Sequence, residues 1–119
     1  MQMRLLAFAA LILTAACQPM PEAPSGPVAG ERCHVTVSFG SVCCGVDQAT
    51  KARILSYIEH GPYVGRMTEH PWGREGESDL CLRTISSADP DVVVREIALL
   101  IPARAEGSST GTTTVRRGE

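Results

Sequence analysis

Val35, Val37 and Phe39 alternate with His34, Thr36 and Ser38, the two-residue period of a strand that buries one face. Gly40 to Gly45 reads as a loop, after which the period changes. Ile54, Leu55 and Ile58 recur at helical spacing behind Asp47, whose carboxylate suits an N-cap, and Gly61 followed by Pro62 is a stop signal. Tyr63 to His70 and Ser78 to Ile85 have the character of two further strands. The loop between them, around Pro71, Gly73 and Gly76, is rich in turn formers and predicts a hairpin. Asp89 and Pro90 open a second helix, in which Val93, Val94, Ile97, Leu100 and Ile101 make one apolar stripe until Pro102 ends it.

The expected order β-α-β-β-α defines an α+β fold, a small two-layer sandwich of a three-stranded sheet with two helices on one face. We expect the third strand between the first two, as in a split β-α-β unit. The globular domain is predicted to span residues 33–102. Residues 103–119 hold six Ser or Thr and close on Arg116, Arg117, Gly118 and Glu119, which predicts a disordered tail. With two Phe, two Tyr and one Trp in 119 residues, the core has to be aliphatic and small.

The N-terminal pattern belongs to targeting rather than to folding. Arg4 precedes an apolar run from Leu5 to Leu13, and the small residues Ala15 and Ala16 precede Cys17. Residues 1–16 therefore read as a signal peptide, since the run is too short to span a bilayer. Leu13, Thr14, Ala15, Ala16 and Cys17 resemble the bacterial lipobox, with Thr14 standing where Leu is commoner. That resemblance implies acylation of Cys17, which becomes the mature N-terminus, and Gln18 after it implies sorting to the outer membrane of a Gram-negative cell.

Residues 17–32 then form the lipidated cysteine and a tether in which Pro19, Pro21, Pro24 and Pro27 favour extended chain. At about 3.1 Å per residue, the tether reaches roughly 45 Å from the bilayer. The expected location is the periplasmic face of the bacterial outer membrane, with the membrane engaged through the lipid. Phe39, Gly40 and Ser41 followed by Gly45, Val46 and Asp47 are also similar to a short signature of small bacterial envelope proteins, one that brings no activity with it.

Charge narrows the partners. A formal net charge of -2, with eleven Lys and Arg dispersed along the chain, supplies no basic stripe to neutralise phosphates, so nucleic acid is not expected to bind.

With Cys17 lipidated, Cys33, Cys43, Cys44 and Cys81 remain as disulfide candidates for an oxidising compartment. Joining the neighbours Cys43 and Cys44 to each other strains the peptide between them. The antiparallel third strand is expected to bring Cys81 to the far end of the first, so one bridge from Cys43 or Cys44 to Cys81 is predicted. Cys33 and the leftover neighbour then meet through the linker, bond another chain or stay free.

Candidate chemistry is sparse. The loop Gly40 to Gly45 lacks the Gly-Lys-Ser/Thr ending of a phosphate cradle, and no GxSxG surrounds Ser38, Ser41 or Ser56. Glu75, Glu77 and Asp79 alternate into a strand and so share one side of it, which suits an acid pair or a calcium site but is expected to be a solvated face. Trp72, Arg74 and Glu75 on the hairpin loop are the candidate binding surface, although a lone Trp beside so small a core is expected rather to fold back and cover it. No cofactor or metal set is predicted, because CxxC and HxxxH spacings are absent.

The leading expectation is a non-enzymatic binding or structural module of the cell envelope, with an envelope protein or peptidoglycan as partner. The alternative is a thiol redox or copper/zinc-binding protein that uses Cys43 and Cys44, with His34, His60 or His70 as further ligands.

Overall fold

The computed structural model describes residues 32–105 and 111–118, so the signal segment, Cys17 and most of the tether lie outside the described residues. The elements run β1 (Val35–Ser41), α1 (Gln48–His60), β2 (Val64–Pro71), β3 (Ser78–Thr84), α2 (Pro90–Leu100) and β4 (Gly111–Arg117). The α+β class is as expected, and β3 does lie between β1 and β2. The sheet has four strands rather than three, in the order β2-β3-β1-β4 with every neighbouring pair antiparallel. This is the split β-α-β arrangement completed by a fourth strand, the ferredoxin-like topology.

Local chemistry accounts for the helix limits. Asp47 accepts from the Thr50 amide at 3.0 Å and from the Thr50 hydroxyl at 2.7 Å, which caps α1. Gly61 donates back to the Tyr57 carbonyl at 2.8 Å and closes it. In α2, Asp89 accepts from the Asp91 amide, and Pro90 occupies the first turn, where no amide donor is needed.

Val35, Val37 and Phe39 of β1 and Leu80 and Leu82 of β3 point to the helices. They meet Ile54 and Ile58 of α1 and Val93 and Ile97 of α2 in one aliphatic core around the Phe39 ring. Tyr57 of α1 donates to Glu96 of α2 and links the two helices. Burial, together with that bond, raises the phenol well above its ordinary value.

Residues 111–117 correct the expectation of a disordered tail over 103–119. Gly111–Arg117 pairs with the whole of β1, from Val35 opposite Arg117 to Ser41 opposite Gly111. Three consecutive Thr and Val115 are β-branched, which suits a pleated edge. Val115 lies opposite Val37 and packs on the core, and Arg117 reaches Asp91 at the start of α2 at 2.6 Å. Val115→Asp is therefore expected to cost about 2 kcal/mol by placing a charge against the core. A urea titration reads this as a lower midpoint, whereas an unstructured tail would leave the midpoint unchanged.

Candidate functional site

The sheet has two ends with different chemistry. One end gathers the starts of β1 and β2 and the ends of β3 and β4. Here Cys33 and Cys81 are joined by a disulfide, with their Cα atoms 5.1 Å apart. This corrects the predicted bridge from Cys43 or Cys44 to Cys81. Register is the reason: Cys81 lies opposite Thr36, near the start of β1 rather than its far end. The chain also bends at His34 instead of extending β1 backwards, and that bend lets Cys33 reach Cys81.

Around the bond lies a shallow recess lined by Arg32, His34, Arg83 and Arg117. His34 is held by Thr84, whose amide donates to Nδ1 at 3.1 Å and whose hydroxyl lies 3.0 Å from the same nitrogen. Arg83 donates to the Arg32 carbonyl at 3.2 Å.

The opposite end gathers the β1–α1 loop and the β2–β3 hairpin loop. Gly76 of the hairpin lies beside Gln48 and Val46, and Gly45 lies beside the Glu75 carbonyl. The two loops thus form one cluster that brings Trp72, Arg74 and Glu75 to the same end as Val42, Cys43 and Cys44. Val42 is 87% exposed and Trp72 59%, so both present apolar surface to solvent. Trp72 does not fold back over the core. Its indole N–H donates to Asp79 at 3.1 Å, and its amide donates to the Glu77 carbonyl at 3.1 Å.

Within the hairpin, Glu77 is buried and accepts from the Glu75 amide at 2.6 Å. Its carboxylate crosses the space that a side chain at position 73 would fill, which accounts for glycine there. Glu75, Glu77 and Asp79 therefore do not form the solvated acidic face expected from their alternation. Glu77 closes the loop, and Asp79 orients the indole.

Cys43 and Cys44 are both exposed and carry no disulfide. The Ser41 hydroxyl donates to the Cys43 carbonyl at 2.9 Å and tightens the turn. A hydrogen bond to the Cys43 thiol raises the Cys44 thiol above its ordinary value, helped by the negative charge of Glu75. His34 at the start of β1 and His60 in the last turn of α1 lie at the other end of the sheet, so neither joins the thiols. Among the described residues, no group of three or more His, Cys, Asp or Glu is placed to hold a metal ion.

On the helix side, Lys51 bridges Glu69 at 2.6 Å and Ser78 at 3.1 Å, and the Ser78 hydroxyl donates to Glu69 at 2.7 Å. The bonds from Lys51 and Ser78 hold the Glu69 carboxyl below its ordinary range. The contribution of this carboxylate to stability is thus present at neutral pH and is lost as the pH falls through its lowered pKa. Ser78 is 1% exposed, so its hydroxyl is turned away from solvent beside Lys51.

Comparison with family models, curated proteins and solved structures found no match.

Proposed function

We propose that the protein is a lipid-anchored lipoprotein of the bacterial outer membrane whose domain is a non-enzymatic binding module on the periplasmic side. One observation carries the choice of surface. The chain reaches the domain at Arg32, while the exposed Trp72 and Val42 lie at the other end of β1. With seven residues at about 3.3 Å each, β1 alone separates those ends by roughly 20 Å. A tether attached at Arg32 leaves the loop cluster pointing away from the lipid, toward an envelope partner.

An exposed indole beside Arg74 and Glu75 has the make-up of an interface anchor, an apolar ring among charges that fix orientation. The Cys33–Cys81 bond is of the kind that persists in oxidising compartments. The partner is an envelope component, protein or peptidoglycan.

Full-length protein extracted from membranes tests both parts. Its intact mass should carry the lipid on Cys17, and it should capture an envelope protein or co-sediment with purified peptidoglycan. Trp72→Ala is expected to weaken that capture about 30-fold, as loss of a 2 kcal/mol anchor does. An unlipidated Cys17 removes the anchor, and undiminished capture by Trp72→Ala removes the surface.

A further inference from the structure

We propose that Cys43 and Cys44 form a two-thiol binding site for copper(I). Consecutive side chains of an extended chain point to opposite sides, yet the Cys43 thiol lies close enough to act directly on the Cys44 thiol. The backbone turns to allow it. Cys44 has φ 69° and Gly45 φ 97°, so a left-handed step at a non-glycine residue accompanies the pairing of the sulfurs.

The remaining two cysteines of the described chain cannot compete. Cys33 and Cys81 are bonded to each other at the other end of β1, roughly 20 Å away. The pair stands exposed at the tip of the domain, open to an ion from solution.

Ligand number and softness select the ion. Thiolates prefer soft metals, and copper(I) is satisfied by two of them, whereas structural zinc takes four ligands. Among the described residues, no further His, Cys, Asp or Glu gathers with the two sulfurs to complete a larger set. Glu75 is near enough to act electrostatically on Cys44, and its charge favours a cation. Binding forms two S–Cu bonds and releases two thiol protons to solvent, and no electron changes hands.

The test is an anaerobic titration of the full chain in detergent with copper(I), supplied as its acetonitrile complex, in competition with a chromogenic chelator. The expected result is one ion per chain with a thiolate-to-copper ultraviolet band. Cys43→Ser and Cys44→Ser should each lose the band and weaken binding by at least about 100-fold. Even outer partners of metal ligands are worth roughly 10- to 100-fold. Both variants should keep the parent thermal midpoint. Failure to compete with the chelator overturns the proposal, as does full binding by either Ser variant. One ion shared by two chains overturns it too, since the site would then lie between molecules. None of these outcomes bears on capture of an envelope partner through Trp72.

Discussion

Replacing Cys33 and Cys81 together by Ser is expected to lower the free energy of unfolding by about 4 kcal/mol and the thermal midpoint by roughly 20 °C. The bond joins residues 48 apart in sequence, and the entropy of closing a loop of that size gives a figure of this order. A small domain has only about 5–15 kcal/mol in total, so the reduced form is expected to stand close to unfolding at physiological temperature. Urea and thermal denaturation of the oxidised parent and the double variant make the comparison.

Alkylation without reductant supplies a second readout, because Cys43 and Cys44 should be labelled while Cys33 and Cys81 are spared. Labelling of Cys33 or Cys81, or an effect below about 1 kcal/mol, would show that the staple does not join these residues.

Phe39→Ala is expected to cost about 4 kcal/mol, within the range measured for truncation of fully buried aromatic residues. Among the described residues Phe39 is the largest fully buried side chain, in a core otherwise made of Val, Leu and Ile. Its ring also lies beneath the Lys51 ammonium, 5.3 Å from the centroid, and Lys51 is the residue that ties α1 to Glu69 and Ser78. Truncation therefore opens a cavity under the polar cluster of Lys51, Glu69 and Ser78 that joins α1 to β2 and β3. Urea unfolding at neutral pH measures the loss, and a cost under about 1 kcal/mol would mean that neighbouring side chains fill the space or that Phe39 is not central.

Most of the elements were legible because their signals are local. Alternation marked Val35, Val37 and Phe39, and Asp47, Gly61, Asp89 and Pro90 bounded the helices through the capping chemistry that the structure shows. β4 was missed because an edge strand buries one side of only a few residues. A single Val among Thr and Arg reads as solvated chain until the free edge of β1 is there to pair with it.

The candidate site was legible in its parts and not in its assembly. Trp72, Arg74 and Glu75 stood out as a loop, and Cys43 and Cys44 as a thiol pair. Their nearness depends on two loops, some thirty residues apart in the chain, meeting at one end of the sheet. Glu77 looked like part of a charged face, and only the fold of the hairpin turned it inward to the Glu75 amide.

What the sequence by itself determined is the set of short-range facts: the α+β class, the helix limits, the inward face of β1, and the two loops that carry unusual residues. The tertiary structure alone decided the cysteine pairing, because that depends on which residue stands opposite Thr36, and strand register follows from packing the whole sheet against the helices. It also decided that Cys43 and Cys44 remain unbridged, since the same register places Cys81 at the end of β1 where Cys33 bends back to meet it.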